Sequence, residues 1–375
     1  MVLIFILSGC RREALEGKHF QNSETKVVVS NLAKASLRLF KAGANLPEAL
    51  PVAEFDGTEI WLPPGDYFLE AGRNSKQWYY PISLIGYKAG AGQDGNFEIT
   101  VRDYPSEEPR GHRMMFVPSG YFLMGDRLNP EEPHYIWTGA FFISAFEITN
   151  SEFREFLHAG DGYSEDSNWT ADGKKWRQTH QSSSTAMLQE QDPQWQRFGK
   201  GDYPVVQVKW FEANAYCKWL TKKLDSSKWL ASLPSEAEWE KAARGPDHFD
   251  YGLGRRISDP ELQKYNWSKN PTTPVTVIGI EESLGVFERN RYGLYHASGN
   301  VSEWTQSISE PFSRRQPYIE EDRNRHNDKG QRVVRGGSWY TATTALLYLA
   351  YRDSFQPEHS SDERGFRIVV KRLPH

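Results

Sequence analysis

Cysteine is nearly absent from this chain: its 375 residues hold two, Cys10 and Cys217. Two thiols cannot build the disulfide framework on which many small exported folds depend. Long apolar runs are missing too, and none approaches the ~20 residues that a membrane-spanning helix needs. Nor is there an excess of one charge. The 45 Lys and Arg against 49 Asp and Glu leave a net charge of −4, with no basic stripe to follow a nucleic-acid backbone. The 10 histidines fall in no His-x-x-x-His or His-x-x-Glu-His spacing, which removes a helix-borne zinc-hydrolase site.

Aromatic residues are plentiful, at 14% of the chain with 13 Trp. They bring large buried area per residue and suit a core built from loops and short elements. The length fits one large domain preceded by a small one.

At the start, Leu7-Ser-Gly-Cys10 follows the apolar run Val2 to Leu7. Small residues before a cysteine are similar to a bacterial lipoprotein signal, with Cys10 as the lipidation site. The run is short and lacks a basic region before it, which a start further upstream would supply. This reading makes residues 1–25 a signal remnant and tether. It places the protein outside the cytoplasm, in the periplasm or at the outer membrane, held by a lipid anchor.

Residues 26–104 read as a small antiparallel β-sandwich. Val27-Val-Val-Ser30, Ser36-Leu-Arg-Leu-Phe40, Tyr67-Phe-Leu-Glu70 and Phe97-Glu-Ile-Thr-Val101 are rich in β-branched and aromatic residues and partly alternate. Pro63-Pro-Gly-Asp66 is a turn between two strands. The stretch Leu62-Pro-Pro-Gly-Asp-Tyr67 is similar to carbohydrate- or wall-associated PEGA-type modules, and the reading favoured over it is a plain spacer. Residues 105–112, with Pro105 and Pro109 among acids, form a linker to the main domain, 113–372.

In that domain Asn150 is placed to cap a helix over Ser151 to Leu157. A second helix is expected over Phe211 to Leu224, with Cys217 on its inner face as a buried structural thiol. Ser235 and Glu238 form a capping box for a third helix, which Gly245-Pro246 ends. Residues 160–200 and 306–331 read as polar, irregular surface insertions.

Four motifs then follow in order: Gly293-Leu-Tyr295, Gly299-Asn-Val-Ser-Glu-Trp304, Val333-Val-Arg-Gly-Gly-Ser-Trp339 and Gly365-Phe-Arg367. Together they resemble the formylglycine-generating enzyme, or sulfatase-modifying factor, family. The resemblance implies an α+β, C-type-lectin-like fold, irregular and with few helices. It also implies oxidation of a sulfatase cysteine to an aldehyde, using copper(I) held by two cysteines just after the Gly-Gly-Ser element. Here the first of those positions falls on Thr341 and the second near Leu346, beyond Ser338, so copper is not expected. The resemblance further implies a calcium loop, matched by His296, Gly299, Val301 and Glu303, although imidazole is a poor ligand for a hard ion. A second calcium site would need Asn266 and Trp267. Arg352 and Arg367 are expected in structural ion pairs.

Tyr340 to Tyr351 is apolar and aromatic, which suits either a strand-like core run or a recognition surface. The expected ligand cleft is Asn300, Trp304, Ser338, Trp339, Tyr340, Tyr348 and Arg352. The expected function is non-catalytic binding of an envelope protein or glycan, with no nucleic-acid partner. The alternative is a metal-dependent oxidoreductase, using copper or non-haem iron, that acts on a cysteine or another sulfur-containing substrate.

Overall fold

Alternating burial along the first strands follows from their sequence, because successive side chains of a strand point to opposite faces. In the computed structural model, which describes residues 24–43, 51–55, 59–84, 96–126, 133–180, 192, 195–256, 265, 267, 289–309 and 330–374, these strands make two sheets. One has the order β4 (Glu59–Leu62), β1 (Thr25–Asn31), β7 (Phe97–Val101). The other has the order β3 (Ala53–Phe55), β2 (Ser36–Lys41), β5 (Asp66–Arg73), β6 (Lys76–Ser83). Val27, Leu37, Leu69, Trp78 and Ile99 close the layer between them. The sandwich is not wholly antiparallel: β1 and β7 run parallel, with Val27 opposite Phe97. The sequence between these two strands carries β2 to β6, so β7 returns to the edge of β1 over a long crossover, a pairing that no turn motif announces.

Aromatic contacts fasten this unit to the main domain. Phe97 meets Tyr135 edge-on at 6.0 Å, and Tyr104 meets Phe116 at 5.0 Å. Polar contacts add to the join: Tyr292 Oη donates to the Tyr79 carbonyl at 3.1 Å, and Arg255 pairs with Asp66 at 2.6 Å. Cys10, Asn266 and the stretch 268–274 lie outside the described residues.

The main domain holds three further sheets. A hairpin joins β9 (Gly120–Met124) and β10 (His134–Thr138). A four-stranded sheet has the order β12 (Trp229–Ser232), β17 (Val369–Arg372), β11 (Phe141–Ser144), β8 (Met114–Val117). The last has the order β15 (Asp353–Phe355), β14 (Arg332–Arg335), β13 (Ser302–Ile308), β16 (Arg364–Gly365). Four α-helices of the described residues pack around them: α1 (Asn150–His158), α2 (Ala171–Thr179), α3 (Trp210–Lys223) and α4 (Glu236–Arg244). The core is an aromatic cluster of Phe153, Phe156, Trp210, Tyr216, Trp304 and Phe366. The α+β fold with few helices is as the sequence reading expects.

Two local differences have physical reasons. Thr149, not Asn150, caps α1: its hydroxyl accepts from Glu152 N at 3.2 Å, and Glu152 accepts from Thr149 N at 2.8 Å. The capping box needs a carboxylate three residues on, which Thr149 has and Asn150 lacks. Asn150 instead donates to the carbonyls of Phe198 and Lys200, at 2.5 and 2.8 Å. Helix α2 stands inside the polar insertion because Trp176 stacks at 6.4 Å on Trp169 and under the Lys209 ammonium at 5.2 Å.

Candidate functional site

Two loops meet above β13 and β14. One carries Gly299 and Asn300, with φ of 90° and 62°; the other carries Gly336 and Gly337, with φ of 95° and 69°. This left-handed region is open to glycine and tolerated by asparagine, and closed to most other residues. Gly299 N donates to Gly336 O at 2.8 Å, and Trp339 N donates to Asn300 O at 2.7 Å, so the loops are locked together.

Beneath the loops lies a buried charge centre. Glu303, opposite Arg335 in the β13–β14 register, is fully buried. Its oxygens accept from Arg367 Nε at 2.6 Å, Arg367 Nη2 at 2.7 Å and Trp239 Nε1 at 2.7 Å. Arg367 donates further to the carbonyls of Ser144, Ala145 and Tyr295, at 3.1, 3.2 and 2.9 Å. Glu147 accepts from Asn300 Nδ2 at 3.0 Å and lies 3.0 Å from His296 Nδ1. Burial opposes ionisation of Glu147, but His296 together with Arg367 offsets it and holds the carboxyl below its ordinary value.

This geometry does not fit the expected calcium site. Both Glu303 oxygens already accept from protein donors, and the Arg367 guanidinium supplies the positive charge there. His296 is turned to Glu147. Among the described residues, no group of three or more His, Cys, Asp or Glu side chains is arranged to hold a metal ion.

On the outer side of β14 opens a cavity of about 390 Å³. Ser338, Tyr340, Thr341 and Leu346 line one wall; Asp353, Phe355, His359, Glu363 and Arg364 line another. Ser338 Oγ donates to Glu363 Oε2 at 2.7 Å, and Ser338 N donates to Thr341 Oγ1 at 2.9 Å. Tyr340 is 49% exposed at the mouth.

Other residues of the expected cleft are placed differently. Asn300, Trp304 and Trp339 are buried, with Trp304 Nε1 donating to Val208 O at 3.0 Å and Trp339 Nε1 to Asp362 O at 3.1 Å. Tyr348 packs edge-on against Tyr251 at 5.5 Å, and Arg352 pairs with Glu236 at 2.7 Å. The segment from Tyr340 to Tyr351 is not a strand: it holds a turn of 3-10 helix over Thr344–Leu347, with Leu347 and Leu349 fully buried.

The sequence reading misses His359, Glu363 and Arg364. The tertiary fold carries them to Ser338 from at least 20 residues away. The available signal was an arginine directly before Gly365-Phe-Arg367.

Residues 101–372, which contain both loops and the cavity, match the model of the sulfatase-modifying factor enzyme 1-like domain. The chain belongs to that family. Among sulfatase-modifying factor relatives, it is 28% identical to the formylglycine-generating enzyme of Mus musculus over 308 residues, 70% of this chain and 76% of that one. It is also 28% identical to the inactive C-alpha-formylglycine-generating enzyme 2 of Mus musculus, over 68% of this chain and 85% of that one. The relatives therefore include proteins named as active and as inactive. The fold is shared with Treponema denticola variable protein 1, at a TM-score of 0.50, 19% identity, and coverage of 71% and 99% of the two chains.

Copper(I), which the sulfatase-modifying factor family implies, prefers soft thiolate donors. At the positions matched to its cysteines, Thr341 presents a hard hydroxyl already engaged by Ser338 N, and Leu346 presents no donor atom. Cys217 sits in α3, buried in the aromatic core, where burial pushes its thiol far above the ordinary range. A thiol held neutral is neither a nucleophile nor a ready metal ligand. These residues do not fit copper(I).

Proposed function

We propose that this chain is a non-catalytic, ligand- or partner-binding member of the sulfatase-modifying factor family, exported and lipid-anchored at the cell envelope through Cys10. The observation that carries this reading is the pair Thr341 and Leu346, standing where the family's copper cysteines are expected and lining an open cavity. A cavity of about 390 Å³ falls in the range of small-molecule sites, roughly 300–1,000 Å³. Its rim carries Tyr340 and Tyr351, and tyrosine gives large contact area at little rotamer cost. Envelope proteins and glycans are the partners this placement suits.

A peptide assay tests the reading. The protein is supplied with copper, oxygen and a sulfatase-type Cys-x-Pro-x-Arg peptide, and the products are read by mass spectrometry. The peptide is expected to be recovered unchanged. Conversion of its cysteine to the aldehyde would overturn the proposal in favour of the alternative, an oxidoreductase that works without the cysteine pair.

A further inference from the structure

Three buried arginines of the domain are paired with carboxylates. Arg244 pairs with Glu240 at 2.8 Å, Arg367 pairs with Glu303 at 2.6 Å, and Arg335 also pairs with Glu240. Arg364 is also buried, at 5% exposed, but it has no carboxylate hydrogen-bonded to it among the described residues. Its guanidinium is held flat over Phe355 at 3.7 Å and near Trp304 at 4.9 Å. Only Nη1 has a hydrogen-bond partner, His359 Nδ1 at 2.9 Å. Arginine can only donate, so His359 must accept through Nδ1, which makes its ring neutral with the proton on Nε2. Nε is buried with no partner, and Nη2 has none among the described residues. The uncommitted Nε–Nη2 edge is one that matches the two oxygens of a carboxylate.

Arg364 lines the cavity described above, and two acids share it. Glu363 uses Oε2 for Ser338 and has no hydrogen-bond partner for Oε1 among the described residues. Asp353, exposed on the rim, accepts from Ser354 N at 2.7 Å. Arg335 also lines the cavity, but its guanidinium is already paired with Glu240, so with His359 neutral Arg364 is the cation left to face two carboxylates, and a bare di-anion would be repelled. A ligand carrying both signs would match each group. Val334, Ala342, Leu346 and Phe355 supply apolar wall, beside the hydroxyls of Ser302, Thr341 and Ser361.

We propose that this cavity binds a small zwitterion of amino-acid type, with its carboxylate on the Nε–Nη2 edge of Arg364, its ammonium toward Glu363, and an apolar side chain against Leu346 and Phe355. The inference rests on reading the cleft as a ligand site, and it gives that site a ligand class. Burying an arginine without a carboxylate costs stability. A bound carboxylate restores the missing hydrogen bonds.

The test is titration calorimetry on the full chain with L-leucine, leucinamide and 4-methylpentanoate, which lack nothing, the carboxylate and the ammonium respectively. Leucine is expected to bind, with each analogue at least about tenfold weaker, the scale of one lost charge-assisted hydrogen bond. Arg364→Gln is expected to lower leucine affinity at least about tenfold, while Glu363→Gln removes the preference for leucine over 4-methylpentanoate. Should Arg364→Gln fail to fold, Arg364→Lys keeps the charge without the planar fork and is expected to weaken leucine binding as well. Absence of leucine binding at about 10 mM, or equal binding by the folded Arg364 variant, would overturn the inference. Neither result touches the copper-and-peptide assay, by which the cleft reading itself stands or falls.

Discussion

Replacing Arg367 with alanine is expected to lower the stability of the main domain by about 3–5 kcal/mol, the usual cost of removing one partner from a buried ion pair. The loss would exceed that of a surface pair because Glu303 would remain as an uncompensated charge with no path to water. Five donor contacts run from this guanidinium to Glu303 and to the carbonyls of Ser144, Ala145 and Tyr295, so it ties β13 to the end of β11 and to the Tyr295 loop. Lysine cannot reproduce that fork, and Arg367→Lys is expected to recover little. Urea denaturation of the two variants checks this. A loss under about 1 kcal/mol for the alanine variant would place the pair among weak, solvent-screened contacts and would contradict the account of the charge centre.

The second large effect is expected at Gly337. Its φ of 69° is strained for any residue with a side chain, and a Cβ there would lie 2.7 Å from the Leu346 carbonyl. That atom is backbone and cannot swing aside, so Gly337→Val must move either the Gly336–Ser338 loop or the 3-10 turn. Both line the cavity through Ser338 and Leu346. The expected outcome is a stability loss of about 2–4 kcal/mol, from backbone strain and overpacking together. Ligand binding in the cleft should be lost at the same time, since Ser338 would no longer meet Glu363. Thermal melting and a binding titration on the same sample read the two effects. A variant with wild-type melting and wild-type binding would show that the loop is looser than its hydrogen bonds imply.

Much of the fold was legible because local chemistry and tertiary placement agree. Ser235 and Glu238 lie three apart before an apolar helix, and the reciprocal bonds form, Ser235 N to Glu238 Oε2 at 2.9 Å and Glu238 N to Ser235 Oγ at 3.2 Å. Gly245 ends that helix with φ of 63°. Cys217 is buried on the inner face of α3, and Arg352 and Arg367 are ion-paired, as their positions led one to expect. Where two caps compete, as at Thr149 and Asn150, the one with a carboxylate three residues on wins. Helix α2 was hard to read because its buried side is thin: Gly173 and Trp176 are its buried residues, Thr170 caps it, and Trp176 packs on Trp169 and on the distant Phe211.

The site was legible only in part, for a geometric reason. Motif residues such as Asn300, Trp304 and Trp339 mark where the loops lock, and that work buries them. The groups left facing the cavity come partly from positions outside the motifs. His359 arrives from the approach to β16 and Arg364 from the strand itself, and their meeting with Ser338 depends on β13 pairing with both β14 and β16. No spacing rule encodes that adjacency.

The central claim is that the soft-metal site of the family is absent from this cleft. It is tested most directly by an anaerobic copper(I) titration against a competing chelator, on Cys10→Ser protein so that the Cys10 thiol cannot contribute. The account predicts that the protein takes no copper from the chelator, because the thiol of Cys217 is buried and neutral and Thr341 and Leu346 offer no soft donor. Retention of one equivalent of copper(I), lost again on replacing Ser338 or Thr341, would contradict it.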